Sequence, residues 1–146
     1  MGSPRRLSDS EVEALLAADV PARVATLDAE GYPHVTPLWF VWADGAFHMT
    51  SLAGKPHLRR LASNPRAGVC VDIEDEQRED GERPNRQVRA IGDADTFADA
   101  GGEWTERITR RYVTGAGLEV QLERRLAGER ILIKLEPQSL VAVASL

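Results

Sequence analysis

From Pro21 to Arg66 the chain runs through short strand-forming segments divided by tight turns, and this spacing leaves no room for a long helix before residue 55. Arg23 to Leu27 is apolar and β-branched enough for a strand, and Asp28-Ala29-Glu30-Gly31 supplies a turn with glycine where φ turns positive. His34 to Ala43, rich in Val, Thr, Trp and Phe, reads as a second strand. Pro37 inside it has no N–H to give a central ladder, so a bulge, a bend or a sheet edge is expected there. Asp44-Gly45 is a strong hairpin signal, and Ala46 to Leu52 returns as a third strand. Ala53-Gly54 then opens a short helix over Lys55 to Ala62, which Asn64-Pro65 stops.

The flanks continue this pattern. Leu7 to Asp19 is expected to be helical, with Ser8 and Glu11 as a capping box and Val12, Leu15 and Leu16 as its apolar stripe. Arg66 to Glu74 reads as a fourth strand. Residues 75–86 form a charged segment without an apolar anchor and read as solvated linker rather than lid. Gln87 to Phe97 is the fifth strand, with a bulge expected at Gly92. Gly102 to Val113 is helical: Trp104, Ile108 and Tyr112 recur every four residues, with Glu103/Arg107 and Glu106/Arg110 as ion pairs on the other face. Leu118, Leu122 and Leu126 mark one more helix, and Arg130 to Val143 closes the chain as a sixth strand interrupted at Pro137. Six strands with short connections fit a small barrel better than a βαβ sheet, and no composition shift divides residues 1–146 into two domains.

Charge narrows the partners. The formal net charge is −5, which argues against a general nucleic-acid surface. Yet Lys55, Arg59, Arg60 and Arg66 lie close together with few acids between them, which suits a small anionic ligand. No apolar run approaches the ~20 residues that span a bilayer, and the polar, basic start Met1–Arg6 is followed by no apolar segment of a secretory signal. A single cysteine, Cys70, fits a reducing, cytoplasmic setting. It reads first as a small buried hydrophobe in a strand, with a reactive thiol as the alternative.

No phosphate-loop, dinucleotide, zinc-protease or nucleophile-elbow motif is present, and His34, His48 and His57 are not at metal-ligand spacing. Two stretches can carry chemistry. In Thr50-Ser51-Leu52-Ala53-Gly54-Lys55, hydroxyls donate, Gly54 lets backbone approach closely and Lys55 supplies a point charge at a helix start, a combination that suits a phosphate; a solvated basic helix would read the same. In Val35-Thr36-Pro37-Leu38-Trp39, the proline leaves backbone groups without ladder partners, which a planar heterocycle, water or another chain could satisfy. Trp39 and Trp42 are expected on opposite faces of one strand, one in the core and the other against a ligand or a subunit interface.

In this order ATLDAEGYPHVTPLWFVWADGAFHMTS, GKPHLRRLASNPRAGVCVD and RQVRAIGDADTF resemble the pyridoxamine 5′-phosphate oxidase-like, FMN-binding split-barrel superfamily. They are most similar to its small flavin/deazaflavin oxidoreductases, which include users of coenzyme F420. The resemblance covers residues 8–143. It implies a six-stranded split β-barrel and a homodimer with two cofactor sites at the subunit interface. It implies that Val35, Thr36, Pro37, Leu38 and Trp39 lie along the cofactor ring, that Thr50, Ser51, Gly54, Lys55, His57 and Arg60 hold its phosphate, and that Gln87 approaches from the same or the partner subunit. His57 stands where many relatives carry a basic residue, and Pro56 follows Lys55, so which side chain takes the phosphate is open.

The implied function is hydride transfer between coenzyme F420 or FMN and a small conjugated or carbonyl-type substrate, with the arginine-rich composition tilting the choice to F420. No set of substrate-phosphate residues matches the oxidase, whose activity is not implied. If a proton donor is needed, His34, His57 or Tyr112 are the candidates, or solvent. The alternatives are a module of the same fold that holds a flavin, deazaflavin or haem without turnover, and a barrel with a degenerate pocket.

Overall fold

The computed structural model describes residues 4–145, so the first part of the basic start, residues 1–3, lies outside the described residues. The strands are Arg5–Arg6 (β1), Ala22–Leu27 (β2), Pro33–Leu38 (β3), Phe40–Ala43 (β4), Ala46–Leu52 (β5), Arg66–Glu74 (β6), Asn85–Ala98 (β7), Arg130–Leu135 (β8) and Ser139–Ala144 (β9). The helices are Asp9–Leu16 (α1), Pro56–Ser63 (α2), Glu103–Tyr112 (α3) and Leu118–Leu126 (α4). Six expected strands become nine for three reasons. The second divides at Trp39, the sixth divides around Pro137, and Arg5–Arg6 adds a short pairing to β9. None of the four helices is long and apolar enough to cross a membrane.

Antiparallel pairing links the strands in the order β3-β2-β6-β7-β8-β5-β4, with β9 added to β7 and β1 to β9. β3 and β4 end the two halves of this path and are joined through Trp39 alone, which is why the barrel is split. Pro37 is accommodated because β3 is an edge strand, paired only to β2. Between the halves lies a core of Leu15, Leu16, Val24, Phe40, Phe47, Met49, Val69, Val71, Val88, Ile133 and Leu135. α1 starts as expected: Glu11 N donates to Ser8 Oγ at 3.2 Å, and Ser8 N donates to the Glu11 carboxylate at 3.0 Å.

β7 belongs to both halves. Arg86 to Ile91 pair with β9, whereas Ala94 to Ala98 pair with β8, and the change of partner falls at Gly92. The β6–β7 register runs unbroken through Gly92↔Ala67, so the expected bulge is absent. Glycine is required there for another reason: a Cβ would lie 2.7 Å from the Glu136 carbonyl oxygen and 3.3 Å from Gln138 N. The 75–86 segment is likewise no loose linker. Asp75 N donates to Pro84 O at 2.7 Å and Arg78 N to Glu82 O at 2.8 Å, and Arg83–Glu74, Arg86–Asp75 and Arg78–Asp80 ion pairs brace the hairpin that continues β6 into β7.

α3 and α4 cover the outer face of β4, β5 and β8. His48 of β5 stacks on Trp104 at 3.8 Å between ring centroids and 3° between planes, with the Arg107 guanidinium 4.2 Å from the same indole. Arg107 thus meets the indole, while Glu106–Arg110 forms the expected ion pair at 3.0 Å. Tyr112 stacks on Trp39, and its hydroxyl donates to Val20 O at 2.9 Å. Trp42 points the other way and meets Phe47 edge-on beside the core.

Two tests follow from this packing. Gly92→Ala should lower the free energy of unfolding by about 1–3 kcal/mol, because the new methyl meets backbone on a neighbouring segment; an unchanged urea midpoint would show that Glu136–Gln138 yields freely. His48 is buried with its Nδ1 unpartnered, and burial, with Lys134 and Arg107 adding like charge, pushes its pKa below the ordinary value. A depressed histidine stabilises above the unfolded-state pKa of about 6.5, and that stability is lost as pH falls below it. The unfolding midpoint of His48→Gln should therefore fall less steeply than that of the wild type between pH 7 and pH 5, and equal slopes would exclude His48 as the titrating group.

Candidate functional site

The turn from β5 into α2 is built by three local facts. Gly54 takes φ +83°, a left-handed conformation that suits glycine. Arg59 donates from Nη1 to Gly54 O at 2.7 Å and braces the turn from one helical turn ahead. Lys55 is the N-cap of α2 and Pro56 its first residue; the lysine side chain makes no capping bond and projects exposed at the positive end of the helix.

Two side chains of α2 fasten it to the sheet. His57 is buried, with Nε2 2.9 Å from Ser51 Oγ, while Ser51 Oγ also lies 3.1 Å from Leu52 O. The single hydroxyl proton of Ser51 serves one acceptor, so when it goes to Leu52 the histidine is the donor. Burial, then the charges of Arg60 and Lys55, hold the His57 pKa below its ordinary value, so at neutral pH it is an uncharged positioning group. Arg60 donates from Nε to the buried Thr26 Oγ1 at 2.8 Å, which leaves its two terminal nitrogens available. Among the described residues no carboxylate pairs with Lys55, Arg59 or Arg60.

These groups adjoin β3. His34 lies opposite Thr26 in the β2–β3 register, and its Nε2 is 2.8 Å from an Asp28 oxygen. A cavity of about 350 Å³ is lined by Leu27, Asp28, Ala29, His34, Pro56, Arg59, Arg60 and Ser63. A proline has no N–H, so Pro33 and Pro37 fit the phase of β3 whose backbone groups point away from β2, and Val35 shares that phase. Backbone donors and acceptors of β3 therefore face the open edge. On the outside of the same sheet, Val35, Ala25, Gly68 and Ile91 fall in one cross-strand row. Val35 and Ile91 are 64% and 58% exposed, and a cavity of about 420 Å³ opens beside Ala25, Gly68 and Ile91.

The structure thus groups Ser51, Gly54, Lys55, His57 and Arg60 at one turn, close to the His34 end of β3. Three sequence candidates fall elsewhere. Thr50 faces the opposite side of β5 and accepts from Arg130 Nη2 at 3.2 Å, beneath α4. The Trp39 ring lies on the α3–α4 side, half-buried, stacked on Tyr112 at 4.9 Å and with the Arg125 guanidinium 4.4 Å from its centre. Gln87 pairs with Asp72, five residues along β6 from the Ala67 that lies opposite Thr26; that is ~17 Å of strand, too far to reach the Arg60 end of its own protomer. Thr36 and Leu38 are half-buried on the inner phase of β3.

The proton-donor candidates are each engaged: His34 by Asp28, His57 by Ser51, and Tyr112 by Val20 O, with burial raising the phenol above its ordinary range. Cys70 is not in the core. It is half-exposed on the outer face, between Arg23 and Arg89 in register, and burial with the nearby Asp72 pushes the thiol up rather than down, against the reactive alternative. Arg125 and Arg130, which sequence reasoning missed, carry no local signal beyond a basic helix end and a strand start.

The comparisons accord with this architecture. A FAD-binding protein from Mesorhizobium loti shares 22% identity over 99% of this chain and 100% of its own, with a TM-score of 0.66. A structure described as an F420 reductase shares 22% identity over 88% of this chain and 94% of its own, with a TM-score of 0.61. The FAD and heme binding protein from Mycobacterium smegmatis shares 22% identity over 94% of this chain and 71% of its own, with a TM-score of 0.72. At these identities the likeness establishes the fold alone. No curated protein matches the sequence. The family model described as pyridoxamine 5′-phosphate oxidase matches residues 8–144. Matched over nearly its whole length and folded as a split barrel, the chain belongs to the pyridoxamine 5′-phosphate oxidase family, within the flavin-binding split-barrel superfamily.

Proposed function

We propose that the protein binds a phosphorylated redox ring, coenzyme F420 or FMN, and uses it for hydride transfer to a small conjugated or carbonyl-type substrate. The observation that carries this reading is the uncompensated cation set of Lys55, Arg59 and Arg60 at the start of α2, beside the open edge of β3. The residues fit the group. Lys55 and the free nitrogens of Arg60 would take the phosphate, His57 and Ser51 would keep α2 seated while doing so, and the outward backbone of Val35 would face the ring. When bound, the ring supplies the hydride chemistry. The chain's part is to fix one face of that ring against β3 and to keep bulk water away.

A homodimer belongs to this proposal. The exposed row of Val35 and Ile91 gives each protomer an apolar face to bury, and a second copy laid on it would bring the distant Gln87 of one chain towards the cation corner of the other. His57 and Tyr112 are held by Ser51 and Val20 O, and exposed His34 is held by Asp28 through Nε2 alone, so in this reading the proton comes from solvent or from His34. The same engagement favours a second reading, a module that holds a flavin, deazaflavin or haem without turnover, and a FAD and heme binding protein is among the structural likenesses.

Titrating FMN and F420 separately into wild type and Lys55→Ala tests the site. One cofactor should bind at micromolar level or better, and Lys55→Ala should weaken it by about 1–3 kcal/mol, as for a charge-assisted contact. Because Lys55 makes no capping bond, the substitution leaves α2 intact, and equal affinity in both proteins would remove Lys55 from the site. Assaying reduced cofactor against enones and quinones separates the two readings: turnover supports the oxidoreductase, and binding without turnover supports the module.

A further inference from the structure

A second basic feature lies on the opposite side of β5, and the phosphate turn does not use it. Arg130 opens β8 beneath α4. Its Nη2 donates to Thr50 Oγ1, while its Nε is buried without a partner. One bond is therefore made from a guanidinium with five N–H donors. Arg125 of α4 stands over the Trp39 ring and makes no hydrogen bond among the described residues, where neither arginine has a carboxylate at ion-pair distance. Burial draws both guanidiniums below their ordinary pKa, and Arg125 adds to the effect at Arg130. Asp99 offsets part of it, but the Asp99 carboxylate is committed to Trp104 N, Thr105 N and Thr105 Oγ1 at the start of α3. Trp39 compensates Arg125 in part through its π-face; Arg130 has no such partner.

Arg130 is also the wall of a cavity of about 380 Å³ between the end of β7, the Gly101-Gly102 turn before α3 and the Gly128-Glu129 turn after α4. Backbone keeps this space open. Gly101 and Gly102 take φ +67° and +68°, nothing lies within 4 Å of a Cβ built at Gly101, and one at Gly102 would strike Leu126 at 2.3 Å. Two carboxylates share the lining: Asp99, whose oxygens accept from Trp104 N, Thr105 N and Thr105 Oγ1, and Glu129, which is exposed on the rim, so an anion would seat on the Arg130 side of the cavity, against the unpartnered Nε. The volume exceeds that of a bare ion, since a water occupies about 30 Å³. The planar fork of arginine matches phosphate oxygens two at a time.

We infer that this cavity is a second anion site, separate from the Lys55 turn, which takes the phosphoryl group of a small organic molecule on Arg130, with Arg125 as the supporting charge. The two sites stand on opposite faces of β5 because Thr50 and Ser51 are neighbours in a strand.

Calorimetric titration of glycerol phosphate and of inorganic phosphate, with chloride at equal ionic strength as the blank, tests this in wild type, Lys55→Ala, Arg130→Gln and Arg130→Lys. Lys55→Ala should retain saturable binding of the ester; with both Arg130 substitutions made in that background, so that the Lys55 turn does not contribute, Arg130→Gln should weaken it at least tenfold and Arg130→Lys, which keeps the charge should the glutamine variant fail to fold, should give intermediate affinity. Tighter binding of the ester identifies an organic phosphate, and equal binding identifies free phosphate on the same arginine. Absence of saturable binding to wild type, loss of binding in Lys55→Ala, or unchanged affinity in Arg130→Lys with Arg130→Gln unfolded or unaffected overturns the assignment. Because Lys55→Ala isolates this site, the result is independent of whether a redox cofactor binds at the first.

Discussion

The close passage of the Glu136 carbonyl over Gly92 is the contact on which this architecture turns. A single strand, β7, must serve β6 and β9 with its first part and β8 with its last. The segment leaving β8 stays on the same edge of β7 and becomes β9 with the pairing offset by one residue, and at that offset it passes 2.7 Å from where a side chain would begin. Absence of that side chain lets the two half-sheets fold towards one another, and the core of Phe40, Phe47, Met49, Val71, Val88 and Leu135 fills the space between them.

The other end of the split is held by different chemistry. Trp39 interrupts the chain between β3 and β4, and Arg111 ties this break down by donating to the carbonyl oxygens of Phe40, Leu16 and Ala18. Ala18 O also accepts from Val20 N at 2.8 Å, so the guanidinium adds a second donor there while it serves Phe40 O at the strand break and Leu16 O at the helix end. With Tyr112 and Arg125 closing on the indole, α3 and α4 become a fixed layer rather than a mobile cover. The cation turn at Lys55 is independent of this layer. It is seated by His57 on Ser51 and by Arg60 on Thr26, so the groups free for an anion project from a rigid base.

Local signals carried much of the fold. Asp44-Gly45 and the alternation around it place β4 and β5, the Ser8/Glu11 pair starts α1, and Asn64-Pro65 ends α2 close to where the helix stops. The strand breaks were less legible. Pro137 marks one, but Trp39 has an ordinary strand-forming side chain, and only its packing against α3 and α4 shows why the strand divides there. The 75–86 segment misleads for a similar reason: its acids and arginines read as solvated linker, yet they pair with one another across a hairpin.

Within the site the same division holds. The composition of residues 50–60 announces an anion turn, because glycine, hydroxyls and unpaired cations at a helix start are a local property. Sequence spacing could not say that Thr50 turns away from that turn while Ser51 turns into it, nor that Gln87 lies a strand's length away from Arg60. The sequence by itself determined the strands and turns, the cation cluster and the family, since each follows from neighbouring residues in order. Only the tertiary structure decided that Trp39 is stacked on Tyr112, that His57 is buried and committed to Ser51, and that neither Arg125 nor Arg130 has a carboxylate at ion-pair distance among the described residues, because burial and charge pairing depend on residues brought together from distant parts of the chain.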